Sequence, residues 1–327
     1  MLLPLYPLRF QPLLKRYLWG GRRLGTTLGK PLGEGSDYAE SWEIADHDAD
    51  QSIVAEGPLA GATLAELVSR RAGELLGRHA LQGGNRFPLL FKYLDCQRDL
   101  SVQVHPDDAA AALLDPPDLG KTEAWLILDA PAGSRLYAGL RPGVDREFLR
   151  REVAAGQTER CLHSFEPRAG DCIFIPAGTV HALGAGLLVA EIQQASDTTY
   201  RLFDWNRAGP DGQPRTLHVE QALDAIDYAA VAVTPRWPQP TEQPLVERLV
   251  ACDKFVLDRW RPDGPQPLGG DERFHILSVL TGELTVASGE LPPVPLRRGE
   301  TLLLPASLPA ATIAPRGACT LLDMYLP

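Results

Sequence analysis

The sequence predicts a mainly β protein built as two small barrels with a small helical insertion, and three observations carry that expectation. The 29 prolines and 30 glycines cut the chain into many short runs, the punctuation of all-β architectures with frequent turns. The apolar runs between them are short enough to be strands. A weak internal repeat then suggests that one β unit occurs twice.

Taken in order, Thr63 to Leu76 carries Leu64, Leu67, Leu75 and Leu76 at helical spacing, which predicts a helical segment near residues 60–80, outside the barrel. Phe87 to Leu94 (FPLLFKYL) reads as a strand. Asp107 to Leu114 and Asp145 to Val153 are shorter helical candidates, each opened by an aspartate suited to N-capping. Ala124 to Leu128, Asp171 to Ile175 and Leu187 to Gln193 read as further strands, as do Phe274 to Leu280 and Thr301 to Leu304. Pro235 to Pro244 (PRWPQPTEQP) is the proline-rich connector between two units.

The repeat lies across that connector. Arg168 to Ala177 reads RAGDCIFIPA and Arg298 to Ala306 reads RGETLLLPA, with Gly170 matching Gly299 and Pro176 matching Pro305. A Gly-Asp/Glu turn, a four-residue apolar strand and Pro-Ala is the pattern of a cupin-type jelly-roll edge. Counting on from the proline, His181 in the first copy corresponds to Ala310 in the second. The expected domains are therefore a metal-binding, catalytic cupin domain over 1–234, a linker over 235–244 and a degenerate cupin-like scaffold over 245–327.

At 327 residues the chain suits two packed units, since single cores stop growing near ~250–300 residues. A formal net charge of −10 argues against a general nucleic-acid binder, which needs a basic surface to displace counterions. It leaves room for a small anionic substrate held by a few local cations. Cys96, Cys161, Cys172, Cys252 and Cys319 are scattered and form no CxxC pair, which fits reduced thiols in the cytosol. Met1 to Pro12 is apolar but broken by Pro4 and Pro7, so no signal peptide is expected, nor any membrane span. The expected location is cytoplasmic.

The chemistry concentrates in three stretches, SVQVHPDD (101–108), GKTE (120–123) and IPAGTVH (175–181). Strand alternation puts Gln103 and His105 on one face, Lys121 and Glu123 together, and Glu191 and Gln193 together. Three such polar pairs on apolar strands would be costly in a dry core. A wet barrel mouth holding a metal removes that cost. Gln103, His105, Glu123 and His181 supply the N and O ligands of a catalytic zinc with an open position. Taken singly, each has a bland alternative: His105 as a surface residue before a helix cap, His181 as a turn histidine, and Lys121 with Glu123 as an exposed ion pair.

The densest polar segment, Glu191 to Arg207 (EIQQASDTTYRLFDWNR), mixes aromatic residues with Asp197, Arg201, Asp204 and Arg207 directly after a buried strand. That suits a substrate loop, in which an arginine could stabilise a developing enolate oxygen or hold a phosphate. His47, His79, His163, His218 and His275 are expected to be structural, with His47 solvated in its acidic run. Lys15, Arg16, Arg22 and Arg23 are expected to be solvated as well.

These stretches, with Tyr17-Leu18-Trp19-Gly20-Gly21, Glu40-Ser41-Trp42-Glu43-Ile44, Phe87-Pro88-Leu89-Leu90, GKTEAW and IPAGTVHALGAG, resemble the shorter bacterial form of the type I mannose-6-phosphate isomerases (phosphomannose isomerases). The resemblance covers most of 16–207 and thins beyond about Asp227. It implies a zinc-dependent aldose–ketose isomerase, with one zinc per chain, interconverting mannose 6-phosphate and fructose 6-phosphate. The family's metal ligands fall on Gln103, His105, Glu123 and His181. Its active-site arginine falls on Arg201 and its acid/base residues on Lys121 and Asp197, with Glu191 a further candidate on the strand. Asn206 departs from the pattern where a second acid is expected. The expected partner is a small phosphorylated sugar, with no nucleic acid or membrane, and the chain is expected to be a monomer or weak homo-oligomer.

Two rival readings keep part of this picture. A metal-dependent cupin oxygenase would use iron, normally with a more histidine-rich ligand set. A non-catalytic sugar-binding module would not need Lys121, Glu191 and Arg201 beside the metal.

Overall fold

The computed structural model describes residues 3–79, 86–208, 212–230 and 232–327. Four antiparallel sheets form successive layers. In the first half a five-stranded sheet runs in the order 162–165, 136–140, 181–183, 102–104, 200–203, and a six-stranded sheet in the order 172–175, 123–129, 188–194, 89–95, 38–44, 13–21. In the second half a six-stranded sheet orders its strands 239–240, 246–251, 256–260, 320–325, 275–281, 301–304. Its four-stranded companion runs 266–268, 311–315, 283–288, 294–297.

Burial explains the layering. Phe91, Tyr93, Leu126 and Ile192 from the first six-stranded sheet share one core with Phe255, Leu257, Ile276 and Met324 from the second half. The opposite face of the first sheet, with Leu94, Trp125, Ile127, Ile173 and Val189, packs on Leu136, Ala138 and Leu183 of the five-stranded sheet. The strand Leu89–Asp95 is buried along its whole length, which is why it reads as a continuous apolar run. By contrast Glu283–Ser288 alternates between buried and half-exposed residues, as a strand with one solvated face should.

The matched repeat segments become Cys172–Ile175 and Thr301–Leu304, each the edge strand of its six-stranded sheet. Their turn glycines Gly170 and Gly299 have φ of +92° and +81°. A Cβ on Gly299 would also lie 2.1 Å from the Leu28 carbonyl oxygen, so backbone conformation and close approach both demand glycine there.

The helix Leu64–Leu76 starts at Thr63 with a capping box, in which Thr63 and Glu66 satisfy each other's backbone N–H groups. Its leucines face the shared core. Arg146–Ala154 is capped by Asp145, whose carboxylate accepts from Phe148 N at 2.7 Å. Asp107 caps its helix as expected, but the helix covers only Asp108–Ala111. Leu113 and Leu114 continue in turns, and Pro116 and Pro117 follow them. Val219–Ala225 forms a helix that periodicity had not marked. Within the proline-rich connector, Gln239–Pro240 pairs with Glu247 and Arg248, and Arg236 N donates to Cys172 O at 2.7 Å.

Two groups expected to be solvated are not. Arg23 donates from Nε to Asp95 at 2.8 Å and from its two Nη atoms to the Gly186 and Leu187 carbonyls. With Asp129 Oδ2 at 3.1 Å from Nη1, four backbone or carboxylate acceptors in reach of one planar fork fix this arginine to the sheet. His47 is half-buried, with Nε2 3.6 Å from Asp118 Oδ2. Among the described residues no helix is long and apolar enough to cross a membrane.

Candidate metal centre and active-site cavity

The site lies between the two sheets of the first half. His181 opens the strand His181–Leu183 and stands opposite Gln103 in the register of the five-stranded sheet, with Arg201 opposite Gln103 on its other side. Glu123 opens the facing strand Glu123–Asp129. Backbone bonds tie the contributing loops together: Gly178 N donates to His105 O at 2.9 Å and Lys121 N to Pro106 O at 3.0 Å.

The GKTE segment is also anchored by side chains. Asp108 accepts from Gly120 N at 2.9 Å and from Gln194 Nε2 at 2.8 Å, while Gln194 Oε1 accepts from Thr122 N at 3.0 Å. A Cβ at Gly120 would come within 2.5 Å of Asp108 N. SVQVHPDD and GKTE thus need each other: the second aspartate of one holds the glycine of the other.

His105, Glu123 and His181 present donor atoms within 4.8 Å of one another, all from buried side chains. His105 Nδ1 lies 3.0 Å from Thr198 O and His181 Nδ1 lies 2.8 Å from Thr179 O. Each carbonyl can only accept, so Nδ1 carries the proton in both rings and Nε2 is left as a lone-pair donor. His105 Nε2 and Glu123 Oε2 are buried without hydrogen-bond partners among the described residues. Such orphaned buried acceptors are costly unless a further group satisfies them, and a cation fits this donor set. Burial lowers His105 well below its ordinary pKa and pushes His181 down to about 4, so both rings are neutral near pH 7. Gln103 is beside them, its amide nitrogen 3.3 Å from His181 Nε2. A flip of the amide, which exchanges two nearly isosteric atoms, brings Oε1 to that position.

The bland alternatives for these residues fail. His105 is 1% exposed. Lys121 and Glu123 form no surface pair: both are buried, with Lys121 Nζ 3.7 Å from Glu123 Oε2.

Beside His181 opens a cavity of about 330 Å³, within the usual range of small-molecule sites. Gln103, Lys121, His181, Glu191, Asp197 and Arg201 all line it. Asp197 is exposed at its rim. Arg201 donates from Nη1 to Thr216 O at 2.8 Å, while its Nε is buried with no partner among the described residues. Gln193, the other half of the Glu191 pair, turns instead to the Gln194 and Ser196 carbonyls. Asn206 takes a left-handed conformation, φ 55°, and donates to Gly156 O at 3.3 Å.

Several lining residues were missed from sequence. Lys92 Nζ lies 3.2 Å from Glu191 Oε1 and 3.6 Å from Glu40 Oε2. Burial opposes the charge on Lys92, but Glu191 and Glu40 outweigh it and hold the ammonium protonated far above neutral pH. Burial in turn raises the Glu191 carboxyl above its ordinary range, against the pull of Lys92. The available signal was a lone lysine inside FPLLFKYL, which needs a partner if the strand is buried. Trp19 and Arg215 also line the cavity; Arg215 is held by Asp204 through Nε at 2.7 Å.

Known proteins resemble this chain in sequence and in fold. A family model described as phosphomannose isomerase type I, catalytic domain, matches residues 7–121. The chain is 35% identical over 306 residues to a mannose-6-phosphate isomerase of Bacillus subtilis (strain 168), covering 92% of this chain and 94% of that protein. It is 35% identical over 305 residues to the mannose-6-phosphate isomerase of Streptococcus mutans, covering 92% and 93%. Among solved structures, a crystal structure of mannose 6-phosphate isomerase from Bacillus subtilis superimposes with a TM-score of 0.89 at 33% identity, over 98% of this chain and 99% of that one. With relatives of this identity matched along nearly their whole length, the chain belongs to the type I phosphomannose isomerase family.

Proposed function

We propose that the protein is a zinc-dependent aldose–ketose isomerase that interconverts mannose 6-phosphate and fructose 6-phosphate in the cytoplasm. The observation that carries this is the convergence of His105 and Glu123 on His181, which lines a cavity shared with Glu191, Lys121 and Arg201. His105, Glu123, His181 and Gln103 would hold one zinc per chain, in a set with room for substrate oxygens. When bound, the ion supplies Lewis-acid polarisation of the sugar's carbonyl and hydroxyl oxygens.

The protein's own groups carry the rest. Isomerisation moves a proton between C1 and C2 of the open-chain sugar through an enediolate. Glu191, its basicity raised by burial, is suited to take the C2 proton and return it to C1. Lys121 and Asp197 are placed at the cavity wall to exchange protons with the sugar oxygens. Arg201, whose buried Nε has no partner among the described residues, remains charged and is suited to a phosphate or the enediolate oxygen. The catalytic unit is assigned to 1–234 and the remainder, beyond the connector 235–244, to a second unit; we read the sheet pairs as two cupin-type jelly rolls.

The test is isomerase activity of the purified protein on mannose 6-phosphate and on free mannose, with and without chelator. Chelator-sensitive conversion of mannose 6-phosphate is expected; activity that survives complete metal removal, or none on either sugar, overturns the proposal. Two histidines and one carboxylate also form the iron set of oxygenases, so oxygen uptake by the iron-loaded protein would support that rival reading. The charged cavity groups and the family membership favour isomerisation.

A further inference from the structure

The second half of the chain carries its own polar cavity, of about 870 Å³, which shares no lining residue with the first. Its position follows from register. In the first six-stranded sheet Ile175 pairs with Glu123, Glu191 with both Trp125 and Lys92, and Lys92 with Trp42. In the second, Leu304 pairs with His275, Asp323 with both Leu277 and Asp258, and Asp258 with Arg248. Laid strand on strand from the matched prolines, Glu123 falls on His275, Glu191 on Asp323, Lys92 on Asp258 and Trp42 on Arg248. The second sheet has therefore kept polar groups at the positions where the first sheet builds its site, although the counterpart of His181 is Ala310.

These groups are buried and organised. Asp258, Asp323 and His275 are each less than 5% exposed. Arg248 grips Asp258 through Nε and Nη2, both at 2.9 Å, and Tyr325 OH donates to Asp258 at 2.8 Å. His275 is held between Asp323 at 2.8 Å and Asp271 at 3.1 Å. A barrel with only a scaffolding role would be at least as stable with apolar residues in these places. Trp260 adds an independent sign. It lines the cavity, is 95% buried by its 5% exposure, and its indole N–H has no partner among the described residues. Buried tryptophan N–H groups normally find an acceptor.

We propose that this cavity is a second small-molecule site, distinct from the catalytic one, for a neutral polyhydroxylated ligand of the hexose class. A metal does not suit it, because both ring nitrogens of His275 already face carboxylates. An anion does not suit it either. Its three lining cations, Arg248, Arg273 and His275, are each paired with a carboxylate, and Glu242 adds a further negative charge. Carboxylates so held still have lone pairs for sugar hydroxyls, and the Trp260 N–H, on a residue of the cavity lining, lacks the acceptor that a ring or hydroxyl oxygen would supply. The catalytic cavity differs in this respect: among the described residues Arg201 there donates to the Thr216 carbonyl and forms no salt bridge.

The test is calorimetric titration of the full-length, metal-loaded protein with free D-mannose, D-fructose and D-glucose, and separately with mannose 6-phosphate. Saturable binding of at least one neutral hexose should survive Arg201→Ala. It should weaken at least about tenfold in Asp258→Asn and in Trp260→Phe, the loss expected when a hydrogen bond to a charged or buried partner goes. Turnover of mannose 6-phosphate should stay within about twofold in both variants. No neutral hexose binding, binding abolished by Arg201→Ala, or binding unchanged by Trp260→Phe overturns the proposal. So does a phosphorylated sugar displacing the neutral one from this cavity in the Arg201→Ala protein. If Asp258→Asn fails to fold, Trp260→Phe, which keeps an aromatic side chain without the N–H, decides alone.

Discussion

Lys92 and Glu191 face each other across neighbouring strands of the first six-stranded sheet, with Nζ 3.2 Å from Oε1 and both side chains buried. Glu40 flanks the same ammonium at 3.6 Å. Removing the lysine leaves two buried carboxylates without their shared cation. Lys92→Met should therefore lower unfolding stability by about 3–5 kcal/mol, the range for breaking a buried pair from one side. Urea denaturation at pH 7 measures this, and a loss below about 1 kcal/mol would show that the pair is solvated.

The metal assignment predicts coupled losses. His181→Ala and Glu123→Gln should each lose bound metal and isomerase activity together. The native protein's melting temperature should fall on adding chelator, since a ligand that binds only the folded state stabilises it by mass action. The variants should melt at a temperature that chelator does not change. Elemental analysis beside the melting curves checks both; a variant retaining one metal per chain contradicts the ligand set.

Arg201 should act on the sugar and leave the metal alone. Arg201 lines the cavity and its Nε has no partner among the described residues, so Arg201→Ala should lower kcat by about 10²–10³, as loss of one preorganised electrostatic donor does. Metal content should stay at the native level. If the arginine serves the phosphate, the loss should be small on free mannose; if it serves the enediolate oxygen, both sugars should lose equally. Near-native turnover of mannose 6-phosphate removes Arg201 from the site.

How much of this was legible in the sequence depends on the range of the signal. Alternation along one strand identified Gln103 with His105 and Lys121 with Glu123, because side chains two apart share a face. The capped helix Leu64–Leu76 was legible for the same local reason. Lys92 and Glu40 were not, since their partners come from strands distant in the chain and register is a tertiary property. Arg23 looked solvated because its acceptors, Asp95 and the Gly186 and Leu187 carbonyls, lie more than 70 residues away. The repeat correctly matched two edge strands, yet comparing only His181 with Ala310 hid what the second sheet keeps on its other strands. His275 there corresponds to Glu123, a change of residue type that no motif comparison would pair.

His275 gives the second half a pH-dependent stability of its own. Burial alone would lower the pKa of this imidazole, but Asp323 and Asp271 outweigh it and lift it from 6.5 to about 9. The folded state then holds a proton that the unfolded state releases between those values. The resulting stabilisation is complete below about pH 6.5, declines as pH rises, and is gone above about pH 9. Tyr325, Arg273 and Asp258 also face this network, and burial raises the Tyr325 phenol above its ordinary value, out of that window. Urea denaturation of the native protein and of His275→Gln at pH 6, 7.5 and 9 should show the native advantage shrinking steadily with pH, by a few kcal/mol in all. A constant difference across the three would mean that folding does not shift the pKa of the ring.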